Sequence, residues 1–533
     1  MTRRRPPRAV WAAVAAFVGL STVWSLVAPL TEAPDEQTHL GFVLHLAEPN
    51  PYPDYDEVRT FSSIVWLCRT WSASTTACPR PEEFANPVGP VRRHPAADAP
   101  PKDRRLAWDD EGGAVRLRSI NQMGQHPPLY YTAMATVLRA ERALTGGDWS
   151  LDRELALLRL LNVLLVAPIP LLAWWAAARF GLAPGAALAA ACATLALPML
   201  THIGSALNND NLVAVLGALL IALLAGVVRG DRSLRTAALV GVALGLGLLS
   251  KSLAAVFAPL VVVAYLVGWW ELRRRGEQPG WRSSLGPLAL AGGATVALAG
   301  WWYLRVHART GQWAPSIESR NYRSGVAPPG FQADLIDYAG EFAKLMNVRV
   351  WGSFGWHSLR FGGELSLVLN LLVASLLVVA LWPREDAGGN GRAARAFLLL
   401  PTVALGGFVF GRAWNLHSLT GRYPFIQGRY LLAGVVGLLV LVAIALHRLA
   451  GRWAPTIVVV VAGALQGYAL SRALITWWGG PGLGPRGQLR AVRAWSGWPD
   501  AVVHALFVGA AVAVAWLVVE LVLDVRSRRE VAP

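Results

Sequence analysis

Asp35, Glu36 and His39 stand together in "APDEQTH", directly after an apolar run of membrane length at about residues 9–30. A carboxylate can take the proton of a hydroxyl. Helix capping accounts for the same residues. Pro34 suits a first helical position, and Asp35 and Glu36 would then fall in the first turn, where the macrodipole favours acids. The two readings are compatible, because a cap also fixes the carboxylates at the membrane surface. On such a helix Asp35 and His39 are four apart and share a face. Two or three ligands without a spacing signature leave a divalent metal open, with no cofactor specified.

The second chemical feature is positive charge at the ends of apolar runs. "GRAWNLHSLTGRYPFIQGRYLLAG" (411–434) carries Arg412, Arg422 and Arg429, and "WWYLRVHARTGQW" (301–313) carries Arg305, His307 and Arg309. Lys251, in "LLSKSLAAV", sits between two apolar runs with no acid near it in sequence. A charge at the bilayer centre costs about 3 kcal/mol and less near the interface. Snorkelling explains any one of these cations. Several of them on the face that bears Asp35 read instead as a site for an anionic headgroup, which the arginine fork suits. Gly428, beside Arg429, would let a phosphate approach the backbone. "SALNNDNLVAVLG" (205–217) opens another apolar run with four amide or acid groups, more than capping needs. Asn209 and Asp210 are therefore candidate substrate ligands, as are His39 and His126. Cys68 and Cys78, ten apart, are a candidate disulfide in an oxidising compartment, with free thiols as the alternative.

The elements that must hold these residues are membrane spans. Of 533 residues, 54% are hydrophobic and only 15% charged, against roughly 25% charged in soluble domains. The basic n-region "MTRRRPPR" precedes an apolar run too long for a signal peptide and without a small-residue cleavage site, so it reads as a retained first span. Twelve segments reach span length or nearly so: 9–30, 155–178, 183–200, 211–228, 235–249, 253–271, 284–304, 364–382, 395–411, 430–447, 454–471 and 501–523. The net charge of +16 is then a matter of loops and gives no reason to expect nucleic acid. With twelve spans, the basic N-terminus, the short basic connections and the basic tail all fall on one side, which the positive-inside rule makes cytoplasmic. This parity requires 126–140 to be an interfacial helix and not a span. Segments 34–48 and 334–347 have amphipathic spacing and read as further helices lying on the membrane. The expected fold is thus an all-α polytopic membrane protein of about twelve spans, with both termini inside. Its long connections, about 31–154 and 305–363, lie on the outer face, where function is expected.

Several stretches, in this order, resemble the GT-C superfamily of membrane glycosyltransferases, in particular bacterial relatives of protein O-mannosyltransferases with a "PDE…H" signature. They are "PDEQTH" (34–39), "HPPLYY" (126–131), "LRLLN" (158–162), "NNDNL" (208–212), "LLSK" (248–251), "SFGW" (353–356) and "QGRYL" (427–431). The resemblance implies a GT-C-like catalytic module over residues 1–435, with C-terminal spans of unassigned role at 436–533. It also implies a bacterial plasma-membrane enzyme of the cell envelope. Such an enzyme takes a sugar from a polyprenyl-phosphate carrier at the extracytoplasmic face and passes it, with inversion, to a glycan, lipid or protein hydroxyl. Asp35 matches the base, with Glu36 assisting. Arg429 and Lys251 match the residues that hold the lipid phosphate, with Arg305 and Arg422 as further candidates. The alternatives are a multi-pass transporter or flippase of lipid-linked or anionic substrates and a non-catalytic envelope-assembly protein. A transporter would place ionisable groups near the midplane, whereas here the polar groups gather at span ends.

Overall fold

The computed structural model describes residues 5–49, 52–73, 91–108, 115–278, 280–323, 327–383, 391–480 and 482–530. The chain is helical almost throughout; the described strands form two small antiparallel pairs, Arg59–Phe61 with Arg116–Ile120 and Ser353–Phe354 with Leu359–Arg360. Among the described residues, nine helical stretches are long and apolar enough to cross a membrane. The expectation of twelve differs because it divides the chain more finely. Leu234–Ser250 is apolar but has only 17 residues. Pro184–Ala196 and Pro198–Gly204 meet at a 68° bend, at a proline that lacks the N–H to continue the helix. Gly428–Trp478 has 51 residues, about 77 Å if helical throughout and more than twice the hydrocarbon thickness. Its two ends lie at the same end of the bundle. Arg429 Nη1 donates to the Pro34 carbonyl at 3.0 Å, and Trp478 Nε1 donates to the Val27 carbonyl at 2.7 Å. The stretch therefore goes across and returns, with its break at Gly451, whose φ is +54°.

The first helix, Arg8–Val27, is central. It packs against Asp500–Glu530, against Leu151–Val166 and Ile169–Arg179, and, through the Trp24 indole, on Gln466 at 3.0 Å. Residues 436–530 thus share one core with the N-terminal part. Without a hydrophobic driving force in lipid, close helix contacts rely on small residues. A Cβ at Gly217 would sit 2.2 Å from the Ala433 carbonyl oxygen, so glycine lets Gly428–Gly434 press on helix Asp210–Val227. That contact brings Arg429 to Asp210.

The long connections fold over the same end. Leu129–Thr145 is a helix directly after Pro128 and is not among the candidate spans, as the parity argument requires. It packs on Glu36–Ala47. This second helix does not lie on a membrane surface as its spacing suggests. Ten of its twelve residues are buried, polar ones included, because strand, helix and loop segments of the first connection cover the face meant for water. Leu335–Arg349 keeps the expected surface position: Asp334 caps its N-terminus, Leu335 and Ile336 are exposed, and only Tyr338 and Arg349 are buried.

Candidate functional site

The first span ends in the turn 28–35, and helix Glu36–Ala47 begins two residues later than a Pro34 start would place it. Asp35 precedes the helix in the left-handed region, with φ +64° and ψ +4°. Aspartate tolerates this conformation better than most residues, but it is strained. Among the described non-glycine residues, positive φ occurs only at Thr31, Asp35, His357 and Phe425. The other three touch Glu36, Gln427 and Arg412. Thr31 N donates to Glu36 Oε2, His357 meets Gln427, and Phe425 lies 3.9 Å under the Arg412 guanidinium. Strain of about 1–3 kcal/mol per residue persists where the surroundings enforce it, and it gathers at functional sites.

The turn separates the two adjacent carboxylates. Glu36 points inward and is wholly buried. Its oxygens accept from Arg159 Nε at 2.8 Å and Nη2 at 2.6 Å, from Thr31 N at 2.8 Å and from Leu207 N at 3.1 Å. Arg159 also donates to the carbonyls of Ser25, Ala28 and Pro29. Every orphan carbonyl in that list lies where the first span ends, so this pair ties the span end to the helix. Glu36 was a candidate for direct chemistry; its lone pairs are already committed, and its place is that of an anchor.

Asp35 points the other way, into a charged cluster. Its Oδ2 accepts from Arg429 Nη2 at 2.5 Å, and Oδ1 accepts from Gln122 at 3.3 Å. Asp210 lies beyond Arg429, with Oδ2 3.5 Å from the guanidinium Nε, and its Oδ1 accepts from Lys251 Nζ at 2.5 Å. Lys251, alone in its own stretch of sequence, therefore has an acid partner from another helix. Tyr430 presents its ring to both cations, 4.8 Å from Lys251 Nζ and 5.5 Å from the Arg429 guanidinium carbon. Two carboxylates and two cations alternate along this cluster, and all four residues are at most 9% exposed.

A narrow cleft opens beside the cations, lined by Lys251, Arg412 and Tyr430 on one part and by Leu253, Phe408 and Val409 on another. Phe408 is 43% exposed, so the apolar part reaches the outer surface of the bundle. Glu318 stands at the rim, 3.5 Å from Arg412. Burial pushes its carboxyl up to about 7 against the opposing effect of Arg412. His126 faces the same cations. Burial, then Lys251, Arg412 and Arg429, hold its imidazole well below the usual range. His39 is also held low, first by burial and then by His126 and the cations. It shares a 2.8 Å hydrogen bond with the Tyr131 hydroxyl, and the Tyr131 ring stacks near both histidines. Both imidazoles are neutral here.

The remaining candidates are distributed as follows. Asn208 precedes the N-cap residue Asn209 of helix Asp210–Val227, and its Oδ1 accepts from Asp210 N at 2.9 Å. Asn209 is buried with one 3.4 Å bond to the Ser250 carbonyl, and its Oδ1 is unpartnered. Arg305 stands apart, 3.5 Å from Asp54 and stacked near Tyr52 and Trp302. Arg422 is exposed and takes part through its backbone, which accepts from His417. Among the described residues, no hydrogen bond or ion pair joins either arginine to the Asp35 cluster. Gly428 does not open space for a ligand: a Cβ there would lie 2.1 Å from the Arg349 carbonyl oxygen, so its missing side chain admits protein backbone. Cys68 is disulfide-bonded and Cys192 is a free buried thiol; Cys78 lies outside the described residues. Among the described residues, no group of three or more His, Cys, Asp or Glu is placed to hold a metal ion. Sequence reasoning passed over Arg159, Gln122, Glu318 and Tyr430. A lone arginine in the apolar "LRLLN" was the available signal for the first; the others had none.

A family model described as "Predicted membrane protein (DUF2142)" matches residues 17–438. No curated protein sequence matches the chain. Two solved structures are similar to it. One is ArnT from Cupriavidus metallidurans bound to undecaprenyl phosphate, at 18% identity and a TM-score of 0.40, covering 75% of this chain and 68% of that one. The other is the same protein in the apo state, at 18% identity and a TM-score of 0.39, covering 74% and 66%.

Proposed function

The chain belongs to the DUF2142 family of predicted membrane proteins, and we propose that it is a membrane glycosyltransferase of GT-C type. In this reading it moves a sugar from a polyprenyl-phosphate donor to an acceptor hydroxyl, with inversion, at the extracytoplasmic face of a bacterial plasma membrane. The observation that carries the reading is the buried Asp35 carboxylate on Arg429, joined through Asp210 to Lys251 beside a cleft with an apolar mouth.

An inverting displacement needs a base on one side of the anomeric carbon and positive charge beside the leaving phosphate. Asp35 takes the acceptor proton as the acceptor oxygen bonds to the anomeric carbon. The bond from that carbon to the phosphate oxygen breaks, and its electron pair stays on the phosphate, whose charge goes from −1 to −2. Lys251 and Arg429 bind the phosphate, with Arg412 taking the place that Arg305 and Arg422 were expected to fill. The prenyl chain leaves along Leu253, Val409 and Phe408 toward lipid. A phosphate competes with Asp35 for the Arg429 guanidinium, so donor binding releases the carboxylate to act as base. Glu36 and Arg159 hold the turn that aims Asp35. His39, Tyr131 and His126 form a neutral wall suited to a sugar or acceptor hydroxyl.

The test is a structure of the purified protein with added undecaprenyl phosphate. Phosphate density within hydrogen-bond distance of Lys251 and Arg429, with the chain along Phe408, supports the reading. Phosphate bound only elsewhere, for instance at Arg305, overturns it.

A further inference from the structure

A carboxylate inside a phosphate site is costly, and Asp210 is one. It is the first residue of a helix whose N-terminus would otherwise favour an anion, it lies between Lys251 and Arg429, and its Oδ2 accepts no hydrogen bond. Its carboxylate makes no capping bond, and Asn208 Oδ1 already accepts from the first N–H of the helix. We propose that Asp210 biases the site toward a singly charged phosphodiester and against a doubly charged phosphomonoester, so that the spent carrier leaves more readily once the sugar has gone and Asp35 has released its proton. This inference rests on the phosphate-lipid reading above.

The argument is one of charge. Lys251 and Arg429 supply two positive charges, and Asp35 and Asp210 supply two negative ones. Donor binding frees Asp35 from Arg429, but Asp210 keeps its contact with Lys251. A sugar-bearing prenyl phosphate is a diester with one negative charge. The product is a monoester with nearly two above its second ionisation near pH 6. A phosphate resting on both cations stands about two hydrogen-bond lengths, roughly 6 Å, from a carboxylate that touches them. At an effective dielectric near 20, Asp210 takes about a hundredfold from the gain in binding that one extra unit charge at that distance would otherwise draw from the two cations. Arg412 opposes this from the rim and Glu318 reinforces it; His126, held neutral, and Tyr430 add no charge.

The test compares two probes that differ by one charge, farnesyl phosphate and its methyl phosphodiester, bound to the full-length protein in lipid nanodiscs. At pH 8 Asp210→Asn, which keeps an oxygen for Lys251, should shift the preference between the two probes at least tenfold toward the monoester, mainly by tightening it. A second measurement does not depend on that variant folding. Glu318 titrates in the same range as the monoester, so the pH series uses Glu318→Gln with Asp210 intact. Between pH 8 and pH 5 the preference should shrink toward unity as the monoester takes up its second proton. An unchanged probe ratio in Asp210→Asn, or a ratio in Glu318→Gln that does not move with pH, overturns the inference alone. Binding of neither probe by the wild-type chain overturns the phosphate reading itself, and the inference with it.

Discussion

Replacing Glu36 by Gln separates an anchor from a catalytic base. The change keeps the shape but puts an NH2 group where an oxygen now accepts from Arg159 and a backbone N–H. Two donors then face each other in a site where Glu36 and Arg159 are each at most 1% exposed. Breaking a buried ion pair from one side costs about 3–5 kcal/mol. Arg159 retains three carbonyl partners, which places the expected cost at the lower end, about 3 kcal/mol. Unfolding entropy of about 2.1 cal/mol/K per residue amounts to about 1.1 kcal/mol/K over a chain of this length. The melting temperature should therefore fall by about 3 °C, and by more if the cooperative unit is smaller than the chain. Removing both partners, as Glu36→Gln with Arg159→Met, should cost clearly less than the sum of the single changes, because no unpaired charge remains. The assay is thermal unfolding of purified protein in one detergent, followed by tryptophan fluorescence. A Glu36→Gln variant that melts with the wild type, or strictly additive single changes, would refute the anchoring role.

Arg412→Gln should weaken polyprenyl-phosphate binding about tenfold, while Arg422→Gln and Arg305→Gln leave it within twofold, as measured by fluorescence titration. A strong effect at 305 with none at 412 would move the headgroup site. Glu318 is raised from about 4.5 to about 7 in the folded chain. Its stabilising contribution is complete below the unfolded value and is lost as pH rises through 7. The wild type should therefore gain melting temperature relative to Glu318→Gln as pH falls from 8 to 5, and a constant difference would contradict the shift. Ala97 and Ser233 are both exposed. In a Cys-free background, a cysteine at 97 should be labelled from outside intact cells and one at 233 should not; the reverse pattern would invert the topology.

The helical skeleton was legible because a membrane span declares itself by length and hydropathy. Each of the twelve expected segments falls on a helical stretch, and the differences in count arise at a proline bend, a short helix and a glycine turn. The meeting of Asp35 with Arg429, 394 residues apart, was anticipated because both were placed at the same ends of their spans. Pairings that depend on side-chain direction were not legible. Local spacing put Asp35 and Glu36 in one helical turn, and only the left-handed Asp35 sends them in opposite directions. Lys251 looked unpaired because its acid comes from another helix. Arg305, Arg412 and Arg422 were equivalent as charges at span ends, and packing distinguishes them: Asp54 holds the first, while the third stays exposed. The second helix looked amphipathic because its own spacing cannot show that a later part of the chain, near residues 59–71 and 116–145, will cover its polar side.

The most direct test of the account compares the lipids that copurify with the wild-type chain and with Asp35→Asn in native mass spectra. The asparagine keeps the shape of the turn and removes the base, so turnover should fall by about 10²–10⁴ while the donor remains bound. The account predicts a prenyl phosphate carrying one sugar on Asp35→Asn, and on the wild type either no phospho-prenol or the bare prenyl phosphate, which the site holds weakly. Phospho-prenol lipid on neither protein, or the same lipid in the same state on both, would contradict it.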